Sequence, residues 1–141
     1  MTPEASRIQN VTFRQVAHLP TPVHVTADFC LIPIGTPTAS VSRYIANVQK
    51  LLCASGVKHS MHSAGTTIEG TWDEVTKVIG KAHALLHKQG IVRIQTDIRI
   101  GSRTDKVQTM EDKITIVEQL LEADSETPMS KSPDTADEID A

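Results

Sequence analysis

Two kinds of hydrophobic period alternate along this chain, and their order constrains its fold more than any other feature. Val23, Val25, Ala27, Phe29 and Leu31 alternate with His24, Thr26, Asp28, Cys30 and Ile32, the period of a strand with one buried face. Pro33-Ile34-Gly35-Thr36-Pro37 is expected to stop that strand. From Ser40 to Ala54 the apolar residues Val41, Tyr44, Ile45, Val48 and Leu52 recur at helical spacing, and Gly56 supplies a left-handed stop. Val57 to Ser63 and Thr66 to Gly70 read as two strands of a hairpin linked by Ser63-Ala64-Gly65. Thr71-Trp72-Asp73-Glu74 is a capping box, in which Thr71 and Glu74 bond each other's backbone amides. The helix it opens carries Val75, Val78, Ile79, Ala82 and Leu86 on one side and ends at Gly90. Ile91 to Ile100 alternates again. Thr109-Met110-Glu111-Asp112 then caps a third helix with Ile114, Val117, Leu120 and Leu121 on its apolar side.

The order β-α-β-β-α-β followed by a helix predicts an α+β fold. The expected architecture is a ferredoxin-like sandwich, a four-stranded antiparallel sheet with an extra C-terminal helix. Right-handed crossovers place the first two helices on one face, with the strands in the spatial order 4-1-3-2. The expected domain is residues 22–122. Residues 1–21 are polar and unpatterned and read as a disordered arm. Residues 123–141 are acidic and poor in apolar side chains, too little to offset chain entropy, and read as a disordered tail.

Alternation also assigns the sheet face turned away from the helices. It carries His24, Thr26, Asp28, Cys30 and Ile32, then Lys58, Ser60 and His62, then Thr67 and Glu69, and last Arg93, Gln95, Asp97 and Arg99. A face turned to plain solvent usually carries Thr, Lys or Glu. This one places guanidinium groups around carboxylates. It can frame a pocket, in which carboxylates suit a cation or amine and guanidinium groups suit a carboxylate or phosphate. It can equally pack against another subunit with its charges paired, since an unpaired buried charge costs several kcal/mol. The residues alone leave both readings open.

Composition excludes several classes. The net charge is −3, and the 20 residues from Glu122 onward hold seven acids against one lysine. Neither the acidic tail nor the mildly basic remainder has the strong basic footprint of a nucleic-acid binder. An RNA-recognition module of this topology needs aromatics on the two central strands. Asp28, Cys30, Thr67 and Glu69 stand there instead, so no nucleic-acid partner is expected. No apolar run approaches the roughly 20 residues of a membrane span. The segment Met1 to His18 lacks a secretory apolar core, and the expected location is the cytoplasm. Cys30 and Cys53 lie in apolar contexts and read as buried free thiols of a reducing compartment. His83 and His87 lie one helical turn apart, but no third ligand joins them, so they read as exposed surface histidines and no metal is expected. His59 and His62 fall on opposite strand faces. No cofactor and no enzymatic activity are expected.

Four stretches resemble the YkoF-like thiamine-binding protein family. They are Ala27-Asp28-Phe29-Cys30-Leu31-Ile32-Pro33-Ile34-Gly35-Thr36, His62-Ser63-Ala64-Gly65-Thr66-Thr67-Ile68-Glu69-Gly70, Gly90-Ile91-Val92-Arg93-Ile94, and Arg99-Ile100-Gly101-Ser102-Arg103-Thr104-Asp105-Lys106. Ser40-Val41-Ser42 and Trp72-Asp73-Glu74-Val75 fit as well, so the likeness runs from Val23 to Leu121. It implies the same ferredoxin-like fold and subunits that pair through their sheets into homodimers or homotetramers. It further implies a non-catalytic binder of thiamine or its hydroxymethylpyrimidine portion, although some relatives have no established ligand. The positions matching the family's polar pattern are Asp28, Ser42, His62, Thr66, Thr67, Glu69, Arg93 and Asp97. They are expected to line a site between helix and sheet or between subunits. For such a ligand, Asp28, Glu69 and Asp97 offer charge, while Trp72 and Tyr44 offer aromatic faces because Phe29 belongs to the core. The alternative is a structural or regulatory oligomer without a small-molecule ligand.

Overall fold

A computed structural model describes residues 11–126. The chain divides into two units, Met1–Val107 and Gln108–Ala141. In the first unit the elements are α1 (Phe13–Val16), β1 (Val25–Ile34), α2 (Ser42–Ser55), β2 (Lys58–His62), β3 (Gly65–Gly70), α3 (Trp72–Lys88) and β4 (Arg93–Ser102). The second contains α4 (Met110–Glu126). The four strands form one antiparallel sheet in the order β2-β3-β1-β4, as the ferredoxin-like reading requires.

The period of two sets which face is core. Val25, Ala27, Phe29 and Leu31 of β1 and Ile68 of β3 are buried against Val48 and Leu52 of α2 and Val75, Val78, Ile79, Ala82 and Leu86 of α3. Both helices therefore cover one face of the sheet. Leu52, Ile68, Leu86, Val25 and Val75 are fully buried. Each such side chain stabilises the fold by about 1.5–3 kcal/mol relative to exposure.

The punctuation acts as its chemistry dictates. Thr71 caps α3: the Glu74 amide donates to Thr71 Oγ1 at 3.1 Å, and the Thr71 amide donates to Glu74 Oε2 at 3.2 Å. Gly56 ends α2 in the left-handed region at φ +74°. In the second unit, the Asp112 amide donates to Thr109 Oγ1 at 3.1 Å and the Thr109 amide to Asp112 Oδ2 at 3.0 Å, capping α4.

Several local expectations give way. Pro33 does not stop β1, which continues to Ile34 and pairs with β4 throughout. The strand has no β3 neighbour beyond Phe29, so Pro33 stands where β1 is paired on one side only, a position that tolerates a missing N–H. Residues 11–21, expected to lack structure, contain α1, which Thr12 caps. Thr21 Oγ1 donates to Asp73 Oδ1 at 2.9 Å, and the Trp72 amide donates to the Pro22 carbonyl at 3.1 Å. The helix α4 runs past residue 122 to Glu126, through Glu and Ala, which are good helix formers. The remainder of the expected arm and tail, residues 1–10 and 127–141, lies outside the described residues. Cys53 is exposed, not buried, because it lies one step round α2 from buried Leu52. Cys30 is half-buried. His83 is half-buried too, its Nε2 2.6 Å from Thr96 Oγ1 on β4, while His87 donates from Nδ1 to the Ile91 carbonyl at 2.7 Å. Trp72 and Tyr44 are half-buried and pack against the core.

Two predictions follow from these contacts. Burial, and then the neighbouring His87, hold the His83 imidazole below its ordinary value of 6.5. The unfolded chain then takes up a proton that the folded chain resists, so this contribution is full above 6.5 and declines as pH falls below it. Thermal melts between about pH 7.5 and 5.5 should show a loss of stability that His83→Leu reduces. Gly56→Ala forces a Cβ onto a left-handed residue and should cost about 1 kcal/mol in urea unfolding.

Candidate functional site

The two ladders of β1 are unequal. Its pairing with β4 runs from Val25–Ser102 to Ile34–Arg93. Its pairing with β3 runs only from Val25–Gly70 to Phe29–Thr66. From Cys30 onward β1 thus has a strand on one side and a gap on the other, and backbone groups aimed at the gap have no ladder partner there. The amphipathic face of α2 crosses this gap with Val41, Ile45, Val48 and Gln49. The β2–β3 turn, His62 to Gly65, walls the other side. Together they line a partly open cavity of about 290 Å³.

Its walls are mainly apolar, from Phe29, Leu31, Ile32, Pro33, Val41 and Ile45. Its polar groups converge from two elements. Gln49 Nε2 on α2 donates to Thr66 Oγ1 on β3 at 2.9 Å, leaving the Gln49 carbonyl oxygen and second N–H and the Thr66 hydroxyl proton for other partners. Thr66 is buried. Gly65 is required at the turn by close approach, since a Cβ there would lie 2.7 Å from the Phe29 carbonyl oxygen. A broader groove adjoins the cavity between α2 and β2, sharing Val41, Ile45, Gln49, His62 and Ser63 with it.

The sheet face away from α2 and α3 carries two charge clusters. Asp28 lies between His62, with Nε2 3.1 Å from Oδ1, and Arg99, whose Nε and Nη2 donate to Oδ2 at 3.2 and 2.5 Å. The Arg99 hydrogen bond above all, with His62 contributing less, holds the Asp28 carboxyl below its usual value of 3.8 despite partial burial. Asp28 is therefore ionised at neutral pH. Glu69 is nearly buried, with Oε2 3.3 Å from His24 Nε2 and 3.5 Å from Lys58 Nζ. The 3.3 Å contact lacks hydrogen-bond geometry, and His24 Nε2 is buried without a hydrogen bond.

The eight sequence-derived positions do not form one constellation. His62 and Thr66 line the cavity, and Asp28 bonds His62 and lies beside Gly65. Ser42 lines the adjoining groove, its hydroxyl accepting from Ser40 Oγ at 3.2 Å. Thr67 and Glu69 lie on the opposite sheet face from Thr66, opposite Asp28 and Thr26 of β1. Arg93 and Asp97 stand exposed on β4, opposite Ile34 and Cys30, and neither lines the cavity. Asp97 accepts from Gln95 Nε2 at 3.3 Å. Gln49 and Gly65 are additional members. Gln49 was detectable: it falls four residues after Ile45 and eight after Val41, a polar residue on an otherwise apolar stripe.

A family model described as Thiamine-binding protein matches residues 27–118. The chain is similar to the UPF0045 protein ECM15 of Eremothecium gossypii, 48% identical over 99 residues, which span 70% of this chain and 94% of that protein. It is 44% identical over 100 residues to the UPF0045 protein sll0230 of Synechocystis, covering 71% and 82%. Among solved structures, a hypothetical protein from Methanocaldococcus jannaschii superposes with a TM-score of 0.62 at 29% identity, covering 68% of this chain and 97% of that one. A candidate thiamine biosynthesis/salvage protein from Thermotoga maritima superposes with a TM-score of 0.58 at 19% identity, covering 67% and 98%, a likeness of fold alone.

The Asp28 cluster makes a direct prediction. Arg99→Ala should return the Asp28 titration, followed by NMR of its carboxyl group, upward toward 3.8. The depressed value contributes stability that is full above 3.8 and lost as pH falls through the folded value, so the variant's acid unfolding should lose that component. An unchanged Asp28 titration would show that Arg99 does not hold the carboxylate in solution.

Proposed function

This chain belongs to the thiamine-binding protein family, and we propose that it is a non-catalytic binder of thiamine or its hydroxymethylpyrimidine portion. The observation that carries this reading is the cavity beneath α2. Small-molecule sites are characteristically apolar clefts with a few converging polar groups, and its volume of about 290 Å³ suits a single ring with substituents. An aminopyrimidine edge presents ring-nitrogen acceptors beside an amine donor. The Gln49 amide matches that pattern, its carbonyl oxygen accepting from the amine and its free N–H donating to the ring, as glutamine does with adenine. Ile45, Val41 and Pro33 would supply the ring contacts that Trp72 and Tyr44, which do not line the cavity, do not. The Asp28 carboxylate does not line the cavity, but it bonds His62 and lies beside Gly65, which do, and it is the anionic group that would serve a thiazolium cation. Thr66 and His62 belong to this site, and Ser42 to its approach through the groove.

The remaining polar positions support a second role, self-association through the sheet face. Ile32 and Ile34 remain 37% and 41% exposed on that face, and Asp28 and Glu69 already have cationic neighbours within the chain. Asp28 and Glu69 can therefore be covered by a second copy without becoming unpaired, while Arg93 and Asp97 would need partners from that copy. Thr67, Glu69, Arg93 and Asp97 would then be interface residues.

Calorimetric titration of thiamine and of hydroxymethylpyrimidine into the folded chain tests the first reading. Binding should appear at or below millimolar ligand, and Gln49→Ala should weaken it about tenfold or more, the worth of a bidentate contact of 1–3 kcal/mol. Absence of binding at millimolar ligand would overturn it. For the second role, Ile34→Lys, on the same face but outside the cavity lining, should lower the particle mass in light scattering; a retained mass would remove this face from the assembly.

A further inference from the structure

The groove between α2 and β2 holds a nucleophile that the ligand site does not use. Cys53 near the C-terminal end of α2 is exposed and lines this groove. Its Sγ lies 3.7 Å from Nε2 of His59 on β2. The other imidazole nitrogen, Nδ1, lies 2.8 Å from the Val57 carbonyl oxygen. A carbonyl only accepts, so Nδ1 carries the proton and the Nε2 lone pair of the neutral ring faces the thiol. Thiol, base and a third group orienting the base make up the arrangement of an activated nucleophile. The two residues come from different elements, and His59 points to the helix side of β2 because the alternation that turns His62 outward turns His59 inward.

The groove also has a defined electrostatic character. Lys50 and His62 line it, and no Asp or Glu does. We propose that Cys53 is a modification site that undergoes thiol–disulfide exchange with low-molecular-weight disulfides bearing carboxylates. His59 Nε2 accepts the Cys53 thiol proton, and the thiolate attacks one sulfur of the disulfide. The S–S bond of the small molecule breaks as the bond to Cys53 forms. The departing thiolate takes the proton back from His59, so one protein thiol and one disulfide become one mixed disulfide and one free thiol. Lys50 attracts the carboxylates of the incoming molecule. A second thiol of the same chain serves as an internal control: Cys30 is half-buried on β1, and no histidine contact to its sulfur occurs among the described residues. The modification requires no ligand in the neighbouring cavity.

The test is the rate of adduct formation on the full chain with oxidised glutathione, followed by intact mass and peptide mapping. Adducts should form at Cys53 before Cys30, and about tenfold faster in the folded chain than in the same chain unfolded in urea. Exposure alone can at most equal the unfolded rate, so folded acceleration reports activation. His59→Gln should bring the folded rate down to the unfolded rate or below it, while the two chains react alike in urea. Lys50→Gln should slow oxidised glutathione about threefold and leave the neutral hydroxyethyl disulfide unaffected. A folded wild-type rate no greater than the unfolded one, or first reaction at Cys30, overturns the proposal even if His59→Gln fails to fold. Equal Lys50→Gln effects on both disulfides overturn the assignment to anionic partners.

Discussion

The unequal pairing of β1 is the constraint on which the rest of the molecule depends. The strand is central in the sheet, but its ladder with β3 stops at the Phe29–Thr66 pair, while β4 accompanies it to Ile34. A sheet with equal ladders would close this space with a row of backbone hydrogen bonds. The shortfall of β3 leaves a half-paired strand instead, which α2 bridges. Gly65 makes the shortfall tight rather than loose, because its lack of a side chain lets the turn approach the Phe29 carbonyl. The cavity is therefore a consequence of register, not of side chains being omitted from a core.

The same register divides the work of α2. Val48 and Leu52 fill the core, while Val41 at its N-cap, Ile45 and Gln49 roof the cavity, to which Val48 also contributes. One amphipathic stripe thus anchors the helix and shapes the site. The opposite sheet face follows a different principle. It concentrates ionisable groups, yet Asp28 and Glu69 have their cationic neighbours within the chain. These charges are arranged to be tolerated when covered, which suits a contact surface more than a free binding face.

Much of this was legible in the chain itself. Hydrophobic period identified the long elements, and their order identified the topology, because both depend on local spacing and on general rules of handedness. Alternation placed Asp28, Thr67 and Arg99 on one face and Phe29 and Ile68 on the other, since side chains along a strand have no other choice. What depended on non-local stagger was hidden. Pro33 looks like a strand end unless it is known that the β3 ladder stops at Phe29. Arg93 and Asp97 resemble site residues by pattern, but the strand order carries them to the sheet edge, outside the cavity lining. The partial burial of Trp72 and Tyr44 depends on how the helices settle on the core, and the nearness of Cys53 to His59 on a helix packing against a hairpin. None of these is a matter of spacing along the sequence.

The central claim is that the gap beside β1, under α2, receives a small ring-bearing ligand. Amide NMR of the full chain during titration with thiamine tests it residue by residue. The account predicts that the largest shifts cluster at Ile32, Gln49, Gly65 and Thr66, with Arg93 and Asp97 little affected. Largest shifts at Arg93 and Asp97, or none anywhere in the folded chain, would contradict it.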